Sequence, residues 1–102
     1  MLESDQNRLE RQLLRQSEFM KALANPVRLR LLGLLEDGEK SATDLVKLSG
    51  ISKASLSQHI KLMKSEGLVL CNKQGRFCFY RIADTRILAA VELLHETLSE
   101  RT

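Results

Sequence analysis

The sequence is poor in aromatic residues, with no tryptophan, one tyrosine and three phenylalanines among 102 residues. It contains one proline and two cysteines, and no apolar run approaches the roughly 20 residues that a membrane-spanning helix needs. The polar N-terminus, MLESDQNRLERQ, carries charges of both signs and therefore lacks the pattern of a secretion signal. These absences favour a single cytoplasmic domain over residues 1–102, and we expect both cysteines to be thiols rather than a structural disulfide.

Signatures of catalysis are also lacking. The sequence has no glycine-rich phosphate-binding loop, and no combination of Ser or Cys with His and an acid suggests a nucleophile and its base. We therefore expect neither an enzyme nor a bound cofactor.

The first half of the chain has the periodicity of helices. Apolar residues recur at helical spacing from Leu9 to Leu23, and Asn25 and Pro26 are typical of the cap and first position of a new helix. Residues 27–36 are apolar on most sides, which predicts a buried helix that Asp37 and Gly38 close.

A helix-turn-helix is predicted over residues 41–66. The stretch from Ser41 to Asp44 has capping-box spacing and starts a short helix, which Gly50 ends in a position suited to a left-handed cap. Ser52 caps the next helix, which ends at Gly67 and has a core stripe of Leu56, Ile60 and Met63.

After the helices, the period changes to that of strands. LVLCNK and RFCFYRI flank Gln74-Gly75, a plausible two-residue turn, so residues 68–82 are predicted to form a hairpin, or wing. The expected fold is mainly α with this small hairpin: a winged helix-turn-helix. Its terminal segments, 1–24 and 84–102, carry apolar stripes that one small domain cannot cover, which predicts dimerisation through both.

Positive charge is concentrated where such a fold would meet DNA. Between positions 53 and 81 there are six Lys or Arg residues and one acid, whereas the first thirty-one residues have six against four. We expect Ser55, Ser57 and Gln58 to read bases in operator DNA, and Lys61, Lys73 and Arg76 to contact phosphates. The full set of predicted DNA-binding residues is Ser52, Lys53, Ser55, Ser57, Gln58, His59, Lys61, Lys73 and Arg76. A module that binds only protein is the alternative, but it leaves the basic wing unexplained.

These motifs resemble the ArsR/SmtB repressors over residues 17–83. The resemblance is carried by ALANPVRLRLLGLL, by TDLVKLSGISKASLSQHIKLMKSEGLV and by the wing GRFCFYRI. It implies a homodimer that binds operator DNA through its helix-turn-helix and releases it when an effector binds. In this family the residue at the position of His59 more often packs or touches backbone than binds metal.

The family's metal-binding positions are occupied by other residues. The arsenic and lead sensors have two cysteines where this chain has Ser41 and Thr43. The zinc-type site would need histidines where Arg86 and Thr97 stand, although its carboxylates remain as Asp84 and Glu100. The resemblance therefore implies no metal site of either type.

The two cysteines suggest a different effector. A turn at Gln74-Gly75 would place Cys71 directly opposite Cys78, within disulfide reach. The pair could then respond to oxidation, sulfur species or a thiophilic metal, and Lys73, Arg76 and Arg81 could lower the thiol pKa values. Two alternatives remain open: Cys78 is a small core residue with Cys71 as its incidental neighbour, and the inducer is organic or absent.

Overall fold

The computed structural model describes residues 4–101 and contains five helices and three strands there. The elements are α1 (Asp5–Leu23), α2 (Pro26–Leu34), β1 (Lys40–Ser41), α3 (Ala42–Ser49), α4 (Lys53–Ser65), β2 (Val69–Gln74), β3 (Phe77–Ile82) and α5 (Thr85–Ser99). The mainly α fold with a small hairpin is confirmed. The outermost residues of the predicted dimerisation segments, 1–3 and 102, lie outside the described residues.

Capping side chains set the helix starts that the sequence predicts. Asn25 accepts hydrogen bonds from the Val27 and Arg28 amides at 2.9 and 3.2 Å, and Pro26 opens α2. Ser41 and Ser52 cap α3 and α4 through their hydroxyls, each at 3.0 Å from an amide in the first turn. These bonds satisfy donors that have no partner within the helix. One boundary differs: α2 ends at Leu34 rather than Glu36, and a turn follows.

The sheet is antiparallel, with the strand order β1-β3-β2. Two-residue β1 pairs Lys40 with Tyr80 and Ser41 with Phe79, an edge strand that the hairpin pattern did not predict. The predicted hairpin register is wrong by two residues. The turn residues are Gly75 and Arg76, so Gln74 pairs with Phe77, and Cys71 lies opposite Tyr80 instead of Cys78.

The physical reason is the position that glycine takes in the turn. Gly75 has φ of +65°, and among residues 4–101 only glycines have positive φ. A two-residue turn with glycine at its first central position is typical of type II′ hairpins, whose twist suits the flanking strands. The turn therefore begins at Gly75 rather than ending there.

The core lies where α2, α3 and α4 meet the base of the hairpin. Leu31, Leu45, Met63 and Leu68 are completely buried, and the predicted α4 stripe of Leu56, Ile60 and Met63 is confirmed. The inner face of the hairpin, with residues 69, 71, 73, 78, 80 and 82, points toward this core because Val69 is buried and Tyr80 and Ile82 pack against it. Residues 70, 72, 74, 77, 79 and 81 form its outer face.

Candidate nucleic-acid interface

The turn between α3 and α4 is short and fully specified by local interactions. Gly50 adopts the left-handed conformation, with φ of +75°, and its amide donates to the Val46 carbonyl at 3.0 Å. Two residues later Ser52 caps α4. This short connection over residues 50–52 lets α3 pack against α4, as a helix-turn-helix requires.

The outward face of α4 carries most of the predicted contact residues. Lys53, Ser57, Gln58 and Lys61 are exposed, on the side opposite the buried Leu56 and Ile60. Ser55 is half-buried. The Ser52 hydroxyl accepts the cap hydrogen bond from Ser55, which leaves its own proton available to a further acceptor.

His59 faces the protein rather than solvent. Its ring is half-buried, and Nδ1 lies 3.3 Å from Nη1 of Arg28. An arginine can only donate, so Nδ1 is the acceptor in this hydrogen bond. Arg28 also donates to the carbonyls of Lys21 and Ala22, so one guanidinium connects the end of α1 to α4.

A second connection joins α1 to the C-terminal end of α4. Arg15 Nη1 lies 2.5 Å from Oε1 of Glu66, the residue that caps α4, while its Nη2 is 3.4 Å from the Glu66 carbonyl oxygen. The guanidinium also lies 5.9 Å from the centre of the Phe19 ring. These contacts therefore link α1 to the middle of α4 at His59 and to its C-terminal end at Glu66. Sequence patterns gave no signal for either connection.

The hairpin places positive charge beside α4. Lys73 and Arg76 are exposed at its tip, and residues 67–83 include three basic residues and no acid. The one acid between α3 and β3, Glu66, is paired with Arg15. The surface formed by α4 and the wing therefore suits a polyanion.

The two cysteines share the inner face of the hairpin as diagonal neighbours. Cys71 pairs with Tyr80 and Cys78 with Lys73, and both thiols are free and half-buried. Burial raises the pKa of the Cys71 thiol, and the neighbouring Cys78 thiol raises it further, which outweighs the lowering by Lys64 and Lys73. Lys73 therefore acts on the Cys71 pKa in the expected direction, but the net pKa is raised rather than lowered. Burial and the same two thiols raise the pKa of Tyr80 to about 12.

An apolar groove runs between α1 and α5, away from the wing. It has a volume of about 1010 Å³ and is lined by Leu13, Gln16, Ser17, Met20, Lys21, Leu23, Ala24, Leu29, Val91, Glu92, Leu94, His95 and Leu98. Leu13, Met20, Leu94 and Leu98 are more than half exposed. One protomer thus leaves both terminal stripes largely uncovered.

Comparison with known proteins identifies the family. A helix-turn-helix domain model matches residues 23–72. The transcriptional activator HlyU of Vibrio cholerae is 38% identical over 77 residues, 76% of this chain and 71% of that protein. A transcriptional repressor SmtB homolog of Synechocystis is 31% identical over 84 residues, 82% of this chain and 64% of that protein.

A solved structure extends the similarity to nearly the whole chain. It is the homodimeric winged helix-turn-helix DNA-binding domain of a possible ArsR-family regulator from Mycobacterium bovis, with TM-score 0.84 and 31% identity, covering 98% of this chain and 94% of that one. The chain belongs to the ArsR/SmtB family. Members of this family and the relatives described are transcriptional regulators rather than enzymes.

The family's zinc-type position is occupied by an ion pair. Arg86 donates from Nη2 to Oδ2 of Asp84 at 2.6 Å and from Nε to both carboxylate oxygens at 3.1 Å. Among residues 4–101, no three or more His, Cys, Asp or Glu side chains are grouped so that they could hold a metal ion. In the same range, no helix is both long and apolar enough to cross a membrane.

Asp84 also caps α5 and gives the helix a defined pH dependence. Hydrogen bonds from the Arg86 side chain and amide lower the pKa of Asp84 from 3.8 to about 2. A carboxyl whose pKa falls on folding contributes stability above pH about 4 and loses it as the pH falls toward 2.

Asp84→Asn keeps a capping oxygen but cannot titrate. We expect wild type to melt higher than Asp84→Asn at pH 7, with the difference in Tm vanishing near pH 2, as measured by circular dichroism. A difference independent of pH would contradict this assignment.

Proposed function

We propose that the chain is a homodimeric transcriptional repressor that binds operator DNA with α4 and the wing. The observation that carries this proposal is the exposed, cationic surface formed by α4 and the hairpin in a fold shared with a homodimeric DNA-binding domain. Ser55, Ser57 and Gln58 face base edges in the major groove, while Lys53, Lys61, Lys73 and Arg76 contact phosphates. Ser52 lies at the helix start, where its free proton can reach a phosphate.

His59 has a different role within this proposal. Its contact with Arg28 fixes the rotation of α4 about its axis, and it approaches DNA only at the edge of the interface. It therefore supports the neighbouring Gln58 more than it reads a base.

Dimerisation covers the apolar groove between α1 and α5. The exposed leucines there have no role within one protomer, and a second copy buries them in a self-complementary contact. The dimer axis then places two copies of α4 in successive major grooves, about 34 to 36 Å apart. Arg15 and Arg28 link α1 to α4 through hydrogen bonds. A change in the dimer contact at α1 would therefore change the distance between the two recognition helices.

DNA binding is tested through its salt dependence. Each phosphate neutralised contributes about −0.9 to the slope of log affinity against log salt. With a duplex from upstream of the chain's own gene, we expect a steep negative slope and a complex of two protomers per site. Binding to a protein partner with no affinity for any duplex would favour the protein-only alternative. A salt-insensitive complex would also contradict the proposal.

The effector acts on the inner face of the wing, through Cys71 and Cys78. Diagonal cross-strand residues have Cα atoms about 7 to 8 Å apart. A disulfide tolerates at most about 6.8 Å, so the bond can form only if the two strands move together. Oxidation therefore twists the hairpin and displaces the cations at its tip. With hydrogen peroxide as the oxidant, the two thiols give up two protons and two electrons and form the S–S bond. The peroxide takes up those protons and electrons, and its O–O bond breaks to give two molecules of water.

We expect oxidation to lower the operator affinity of wild type by about tenfold or more. Tenfold corresponds to a loss of about 1.4 kcal/mol of binding free energy. Because the pKa of Cys71 is raised, the reaction accelerates as the pH rises above neutrality. Operator affinity is measured for reduced and oxidised protein, with mass spectrometry to identify the cross-link.

Cys71→Ser and Cys78→Ser serve as matched controls, since each keeps a small polar side chain and removes one thiol. Both should bind DNA equally before and after peroxide. Reduced wild type and both reduced variants, each titrated with a thiophilic metal ion, distinguish a metal bridge from a disulfide. A verified bond between Cys71 and Cys78 with unchanged affinity would leave both residues as ordinary hairpin positions.

A further inference from the structure

Phe77 is an exposed aromatic side chain at the tip of the wing. It is the first residue of β3, directly after the Gly75-Arg76 turn, and 55% of its surface is exposed. It lies on the outer face of the hairpin, opposite Gln74, and takes no part in the core. Its ring therefore contributes little to folding.

The surroundings of Phe77 define what could cover it. Arg76 precedes it in the turn, Lys73 lies across the turn on the inner face of the hairpin, and no acid occurs in residues 67–83. An apolar protein surface that covered Phe77 would have to bury the neighbouring Arg76 without a counter-charge, which is costly. DNA offers phosphates for the cations and base surfaces for the ring in the same groove.

We propose that Phe77 is an apolar wedge that stacks against, and partly opens, a base step in the minor groove flanking each half-site. This inference rests on the proposed DNA binding and adds a means of recognition to it. Phenylalanine wedges unstack base steps and kink the duplex, and pyrimidine–purine steps such as TA open most easily. Arg76 and Lys73 hold the backbone on either side of the opened step. The protein thereby prefers operators whose flanking DNA contains easily opened base steps, although it makes no hydrogen bond to the bases there.

Phe77→Trp tests the position of the ring directly, because the chain contains no other tryptophan. Stacking on bases should quench and shift the tryptophan emission when a duplex is added. Leu70→Trp is the matched control: Leu70 is also exposed on the outer face, but at the base of the hairpin, where it pairs with Arg81. Its emission should change little on binding.

Phe77→Ala tests the consequence for the DNA. Loss of one stacked aromatic per half-site should weaken binding roughly tenfold or more. It should also reduce DNA bending, measured by energy transfer between dyes at the duplex ends, and remove the preference for TA over AA steps in the flanks. Phe77→Leu keeps an apolar wedge and should retain part of the bend.

The outcomes separate the wedge from DNA binding itself. Two outcomes would overturn the wedge while operator binding remains salt-dependent: Phe77→Trp emission that is not quenched, or Phe77→Ala with full bending and full affinity. Either outcome would leave the repressor proposal intact. If wild type binds no duplex, the proposed function fails and the wedge with it. Quenching confined to position 77, with a reduced bend in Phe77→Ala, supports the inference.

Discussion

Leu94→Glu should convert the protein into a monomer and abolish high-affinity operator binding. Leu94 is 62% exposed in one protomer and lines the groove between α1 and α5 that a second copy is proposed to cover. Burying an unpaired carboxylate in such a contact costs about 3 kcal/mol or more. Dimerisation should therefore weaken by about a hundredfold or more, since each 1.4 kcal/mol is tenfold.

The effect on DNA follows from the loss of the second recognition helix. A monomer presents one α4 and one wing, so it forgoes half of the base and phosphate contacts. Sedimentation at micromolar protein measures the mass, and titration of the operator measures the affinity of the same sample. Leu94→Met is the matched control, because it keeps an apolar side chain of similar volume and should remain a dimer with wild-type affinity.

The Leu94→Glu substitution should leave the fold of the protomer intact, because the side chain is already exposed to water there. An unchanged helical spectrum with a halved mass is the expected combination. If Leu94→Glu stays dimeric at the same concentration as wild type, the second copy binds elsewhere and the assigned dimer surface is wrong.

Local chemistry explains why much of the fold could be predicted from the sequence. Helix starts depend on a capping side chain and the amides within three residues of it, so Asn25, Ser41 and Ser52 were identifiable from their own neighbourhoods. The left-handed turn at Gly50 follows from the same kind of local rule. The core stripe of α4 could also be predicted, because the 3.6-residue period of a helix places Leu56, Ile60 and Met63 on one face.

The hairpin register could not be fixed in the same way. Gln74-Gly75 and Gly75-Arg76 are both dipeptides containing glycine that suit a two-residue turn, and they differ in whether glycine takes the second or the first central position. A shift of two residues keeps every side chain on its original face, so the alternating pattern is equally satisfied by both registers. The predicted pairing of Cys71 with Cys78 depended on that choice and was therefore wrong, although the two cysteines do share a face.

The contacts that link α1 and α4 could not be predicted from the sequence, for a different reason. Arg15 and Glu66 are separated by 51 positions, and Arg28 and His59 by 31. Nothing in their local sequence distinguishes them from ordinary surface charges. The tertiary arrangement brings these side chains together, because Arg15 lies on α1 and Arg28 on α2, while Glu66 and His59 belong to α4 and its C-terminal cap.

Gln58→Ala should change which operator sequences the protein prefers. Gln58 is exposed on the outward face of α4, and a glutamine amide can donate and accept at one adenine edge in the major groove. Its loss should cost about 1 to 3 kcal/mol on the operator but little on duplexes altered at the base pair that it reads. The measurement is a set of affinities for the operator and its single-base variants at constant salt.

Arg76→Ala is the contrasting variant, because Arg76 lies at the wing tip and is assigned to a phosphate. It should weaken every duplex by the same factor and reduce the salt slope by about 1 for each phosphate that is no longer neutralised. Gln58→Ala should leave that slope unchanged, since an uncharged side chain displaces no counterions. A uniform loss of affinity in Gln58→Ala across the whole panel would assign this residue to the DNA backbone, and base reading would then have to come from Ser55 and Ser57.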